Sequence, residues 1–122
     1  MSSIIPTFRY PDARAAIDFL VAAFGFTEHA AHESDGVIGH AELRFGEDWI
    51  MVGDERVGST DFPKGPSTVY VIVDDPDAHH ARAVAAGAEI TTELTDRDYG
   101  SREYAAKDPA GNVWSFGTYR PV

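Results

Sequence analysis

Residues 108–117 read DPAGNVWSFG, and residues 46–53 read GEDWIMVG. Gly46 and Gly111 lie 65 residues apart, as do Trp49 and Trp114 and the Pro-Asp-Ala steps that begin at Pro11 and Pro76. Three landmarks at one spacing predict an internal duplication, so the elements around each copy should follow the same order.

They do. In the first copy, SIIPTFRY is an extended apolar run, and PDARAAIDFLVAAFGF places Ala16, Ile17, Leu20, Val21 and Phe24 at helical spacing before a stop at Gly25. TEHAAHESDG reads as a strand entering a turn at Ser34-Asp35-Gly36. HAELRF alternates, with Ala41, Leu43 and Phe45 on one face and His40, Glu42 and Arg44 on the other, and Gly46 turns the chain into WIMV. In the second copy STVYVIV alternates, Asp75 caps a helix with Pro76 at its first position, and Ala78, Ala81, Val84 and Ala85 are its expected buried stripe. EITTEL, SREYAAKD and VWSFGTY supply three further strands. The predicted fold is α+β: two tandem βαβββ modules forming one curved mixed sheet, helices outside, with a concave ligand cleft. Module 1 spans about 3–53, a Gly- and Pro-rich connection about 54–66 and module 2 about 67–120, within a single domain of 122 residues.

Composition narrows the function. With no cysteine, disulfides and thiolate metal sites are excluded. Twenty acidic residues against ten basic give a net charge of −10, which disfavours nucleic acid and favours a cationic small partner. No apolar run reaches the ~20 residues that cross a bilayer, and MSSIIPTFRYPD does not read as a signal peptide, so a cytoplasmic location is expected with no membrane partner. No G-x-S-x-G elbow or phosphate-binding glycine loop occurs.

RYPDARAAIDFLVAAFGF, VIVDDPDAHHARAVAAGAEI and DPAGNVWSFGT together resemble the vicinal oxygen chelate superfamily of glyoxalase I, bleomycin-resistance proteins and extradiol dioxygenases. The likeness is greatest to its short glyoxalase/bleomycin-resistance-like branch. The resemblance implies, in metal-using members, a divalent ion held by His, Gln or Glu from four strands. The matching places here are Ile5 or Thr7, Ile50 after Trp49, Thr68 or Tyr70, and Ser115 after Trp114. None offers such a donor, so no metal or other cofactor is expected.

Alternation puts Thr7, Tyr70 and Ser115 on the inner face with Ile5, Ile50 and Thr68, and turns Trp49, Met51, Trp114 and Phe116 toward the helices. Phe62, Tyr99 and Tyr104 are candidates for stacking on a planar ligand. His40 and Glu42 share a strand face and are further ligand-contacting candidates. His29 and His32 should face opposite sides at the surface, and His79 and His80 should be solvated. The expected activity is metal-free binding of a small hydrophobic or cationic molecule of antibiotic type by sequestration. By the resemblance, the protein is expected to act as a homodimer. The competing expectation is a metal-dependent lyase, isomerase or dioxygenase of the same superfamily.

Overall fold

Residues 4–57 and 66–120 are described in this computed structural model of the protein. Among them are eight strands, β1 (Thr7–Tyr10), β2 (Thr27–Ser34), β3 (Val37–Phe45), β4 (Asp48–Asp54), β5 (Thr68–Ile72), β6 (Glu89–Asp96), β7 (Arg102–Lys107) and β8 (Val113–Gly117). Two α-helices, α1 (Ala13–Phe19) and α2 (Pro76–Ala85), stand at the matching place in each half. A π-helical turn, Leu20–Phe24, extends α1, and a 3₁₀ turn, Glu55–Val57, follows β4. The strands form two four-stranded mixed sheets, β1-β4-β3-β2 and β5-β8-β7-β6, one to each of the two expected βαβββ modules. Each contains one parallel pair, β1 with β4 and β5 with β8, because the helical crossover returns the chain in the same direction.

The chain divides into two compact units. The first comprises Met1–Val21 and Gly25–Gly65, and the second Ala22–Phe24 and Pro66–Val122. In the first, Asp12 caps α1 by accepting from the Ala15 amide. Ala13, Ala16, Ile17 and Leu20 are buried with Phe8, Tyr10, Ala41, Leu43, Ile50 and Val52. A carboxylate ties this layer together: fully buried Asp54 accepts from the Ala13 amide at the start of α1, from the Ile38 amide, and from Arg56 Nε at 2.9 Å. Its pKa is lowered: burial opposes ionisation, and the Arg56 and backbone hydrogen bonds outweigh it. The β2–β3 hairpin closes through Asp35 and Gly36, both at positive φ, as a two-residue turn of this hand requires.

In the second unit Asp75 caps α2 through the Ala78 amide, with Pro76 in the first turn. The buried stripe differs from the expected one. Pro76 and Ala83 are buried and His79 and His80 half-buried, at a 3–4 spacing, whereas Ala78, Ala81, Val84 and Ala85 are exposed. His79 is therefore a core group. Its Nε2 lies 2.8 Å from the Phe24 carbonyl, which can only accept, so Nε2 carries the proton and Nδ1 accepts from the Tyr104 hydroxyl. Burial above all pushes the His79 pKa down. Phe24, Trp114, Phe116 and Tyr104 are fully buried around it, with Phe24 and Phe116 edge-on at 4.9 Å. Asp108 is the second buried carboxylate hub, accepting from the Asn112 amide and Nδ2 and from Trp114 Nε1 at 2.9–3.0 Å. That network is the physical content of the DPAGNVW stretch.

The two modules match at more than one spacing. The helix caps Asp12 and Asp75 are 63 residues apart. In the last strands Thr7 pairs with Met51 and Tyr70 with Ser115, so Met51, 64 residues before Ser115, is its counterpart. The turn that precedes β8 is one residue longer than its counterpart before β4. Trp49 and Trp114 therefore do not correspond: Trp114 is fully buried, and Trp49 is half-buried on the opposite face.

Candidate ligand-binding site

Alternation along each strand gives every sheet a helix-facing side and an open side. In the second unit, Trp114, Phe116, Tyr104 and Ala106 fill the first. The register then places Tyr70, Ser115, Ala105, Glu103 and Gly117 on the second. Thr68 lies exposed on the same open side, opposite Val113. Tyr104, expected to stack on a ligand, is instead a wholly buried core residue, and burial raises its pKa.

The neighbouring side chains of this open side build a hollow. Tyr70, Tyr99, Tyr119 and Glu103 line an open cavity of about 500 Å³. Glu103 forms its floor: its side chain is 10% exposed, and both oxygens accept from the Tyr99 hydroxyl at 2.9 and 3.0 Å. Arg97 Nε approaches one of them at 3.4 Å. Tyr99 and Tyr119 meet edge-on at 5.7 Å, and the Tyr70 hydroxyl donates to the Tyr119 carbonyl at 2.8 Å. Ser101 Oγ accepts from the Tyr119 amide, which fixes the segment after β8 against the sheet. Desolvation of its hydroxyl end, then the Glu103 bond, raises the Tyr99 pKa although the residue as a whole is 54% exposed.

Gly117 makes room for this arrangement. A Cβ there would lie 2.5 Å from Glu103 Cγ, 2.9 Å from the Tyr70 hydroxyl and 3.1 Å from Ser101 Oγ. The carboxylate arm therefore lies across bare backbone.

Of the residues expected to contact ligand, Tyr70 and Tyr99 come together here, and Ser115 and Thr68 lie on the same sheet face. Glu103 and Tyr119 were not anticipated. The alternation of REYAAK held the clue, since a buried Tyr104 sends Glu103 to the opposite side. Phe62 lies outside the described residues.

The first unit's open side is chemically different. Thr7 is exposed opposite Met51, and Ile5 precedes the strand at the surface. Ile50 is 5% exposed and faces the helix, contrary to its expected inward position. The one-residue change in turn length is the reason: Met51 takes the open position, and Trp49 joins it there with Arg44 4.9 Å over its ring. His40 Nε2 and Glu42 Oε2 pair at 3.0 Å, and that bond is the main cause of Glu42's lowered pKa. A bulge between Glu28 and Ala30 changes the alternation of β2, so His29 packs edge-on against Trp49 and His32 stacks with His40, on one face rather than two.

The open positions implied for metal ligands thus carry Thr7 with Met51 in one unit and Tyr70 with Ser115 in the other. Two hydroxyls, a thioether and a phenol do not fit the imidazole and carboxylate set of metal-using relatives. Among the described residues, no three or more His, Asp or Glu side chains gather where they could hold a metal ion.

Paired βαβββ modules with helix-backed sheets define the class, an α+β fold built by duplication. The family model described as Glyoxalase/Bleomycin resistance protein/Dioxygenase superfamily matches residues 5–116, and the chain belongs to that superfamily. Its structure is similar to that of TioX from Micromonospora sp. ML1, with a TM-score of 0.86 and 33% identity over 98% of this chain and 100% of that one. The bleomycin-binding protein from bleomycin-producing Streptomyces verticillus, complexed with copper(II)-bleomycin, shares the fold: TM-score 0.68, 22% identity, 98% of each chain covered. The uncharacterized protein Mb0911c of Mycobacterium bovis is 34% identical, over 94% of this chain and 82% of that protein. Among the described residues, no helix is long and apolar enough to cross a membrane.

Proposed function

We propose that this protein binds a small hydrophobic or cationic molecule of antibiotic type and acts by holding it, with no bond made or broken. The observation that carries the reading is the tyrosine-walled hollow on the open side of the second sheet. Aromatic walls supply broad contact area at low conformational cost, and a few polar groups orient the guest. The bleomycin-binding protein of Streptomyces verticillus has the same fold, which supports ligand capture as a use of this architecture. We further propose a homodimer as the working form, the pairing that the family resemblance leads one to expect.

A thermal-shift panel of planar and cationic antibiotics tests the proposal. A ligand at a hundred times its dissociation constant adds about 2.7 kcal/mol, a shift of roughly 10 °C for a chain of this size. Tyr70→Ala and Tyr99→Ala should each reduce the shift, and the ligand should be recovered unchanged by mass spectrometry. Silence across the panel, or conversion of the ligand to a product, would sink sequestration. Analytical ultracentrifugation checks the homodimer, and a monomer at micromolar concentration would refute it.

A further inference from the structure

We infer that the hollow selects by charge, and that its guest carries an ammonium or other organic cation seated among Tyr70, Tyr99 and Tyr119 against the Glu103 carboxylate. This deepens the small-molecule reading and rests on it.

Three observations carry the inference. First, tyrosine rings present negative faces, and rings around a cation attract it most strongly when water is partly excluded. Tyr70, Tyr99 and Tyr119 remain 38%, 54% and 43% exposed, so their rings are available to a guest. Second, the floor of the hollow is a carboxylate, and a nearly buried carboxylate is costly without positive charge or donated hydrogen bonds. Glu103 has both, but loosely. Tyr99 shares one hydroxyl proton between its two oxygens. Arg97 stands at 3.4 Å, beyond the 2.7–2.9 Å of a tight charge-assisted bond, and its side chain is 42% exposed. A cation entering from solvent can replace that guanidinium without leaving the carboxylate unpaired.

Third, the second unit places an acid where the first places a base. Gly117 leaves only backbone beneath Glu103 Cγ, so the carboxylate lies low under the tyrosines. The same place in the first unit, Gly53, is crossed by Arg9, with Arg9 Nη1 2.9 Å from where a Cβ would stand. The shared backbone accommodates either sign of charge, and the second unit carries the negative one beside its aromatic rings. The net charge of −10 adds a long-range field of the same preference.

The experiment uses a matched pair of probes, phenyltrimethylammonium and its neutral isostere tert-butylbenzene, titrated into the full chain while tyrosine ring resonances are followed by NMR. The cation should bind about tenfold more tightly than the neutral probe and weaken with added salt. Glu103→Gln, which keeps an acceptor for Tyr99, should remove that advantage and bring the two probes to similar affinity. Arg97→Ala should move cation affinity the opposite way, several-fold tighter, because it removes the internal competitor. A general loss of structure could not produce opposite signs in two neighbours. Equal affinity for both probes, with Glu103→Gln indifferent, overturns charge selection and leaves the small-molecule reading standing. Tyrosine resonances unmoved by either probe overturn the hollow as a binding site, and both readings of it fall together.

Discussion

Arg9 crosses Gly53 on the open side of the first sheet, and Glu103 crosses Gly117 at the matching place in the second. On the helix-facing sides the two units are far more alike. Each has a capped helix over apolar strands and one buried aspartate gathering backbone or side-chain donors. The contrast shows what duplication holds constant. Close packing and the need to satisfy buried polar groups restrict the helix-facing side. The open side answers only to solvent or ligand, so one copy has become basic and aromatic around Arg44 and Trp49, and the other acidic and tyrosine-rich.

The sharpest test of this comparison is the pair of aspartates. Asp108→Ala orphans three buried donors, the Asn112 amide, Asn112 Nδ2 and Trp114 Nε1, and should cost about 3 kcal/mol in denaturant unfolding. Asp54→Ala orphans two buried amides, those of Ala13 and Ile38, while Arg56 turns to water, so about 2 kcal/mol is expected. A larger loss at Asp54 would show that buried-donor count does not rank the two hubs.

Next come the glycines. Gly53→Ala drives a Cβ to 2.9 Å from the Gly39 carbonyl, a backbone atom, and should cost about 1–2 kcal/mol. Gly117→Ala drives a Cβ to 2.5 Å from Cγ of the nearly buried Glu103, so a cost of the same order is expected, and the displacement of Glu103 and Tyr70 should weaken ligand binding. Unchanged ligand affinity in Gly117→Ala would separate that glycine from the hollow.

Smaller still is a pH effect confined to the second unit. His79's folded pKa lies below its unfolded value, so the unfolded chain binds the extra proton as pH falls. Its contribution is fully present above about pH 6.5 and is lost as pH drops through the folded pKa. Stability should therefore decline between pH 7 and 5, and less so in His79→Gln. The carboxylates Glu42, Asp54 and Asp77, all with lowered pKa, titrate below that window. An identical slope in both proteins would remove His79 as the cause. The smallest effect belongs to the exposed Arg14–Glu28 pair at 2.6 Å in the first unit, where Glu28→Gln should cost about 0.5 kcal/mol or less.

Strands and helices were legible because period 2 and period 3.6 are written into HAELRF and ARAAIDFL. Asp75-Pro76 marked one helix start by capping chemistry. What escaped reading has identifiable causes. Alanine occupies most sides of α2, so apolar spacing had no contrast, and histidines counted as polar proved to be the buried face. The bulge at His29 has no sequence mark, and it reversed the expected divergence of His29 and His32. The repeated tryptophans suggested a uniform spacing of 65, which hid the longer second turn and misplaced Ile50 and Met51. Of the residues that line the hollow, Tyr70 and Tyr99 stood among the sequence candidates, but Glu103 was obscured by assigning its neighbour Tyr104 to the ligand.

That extra residue ahead of β8 also constrains engineering. A chimera that grafts only the last strand of one half onto the turn of the other must trim or add one position, or every side chain of the grafted strand would turn over. Aromatic anchors would then meet solvent, and ligand-facing groups would be driven into the interior.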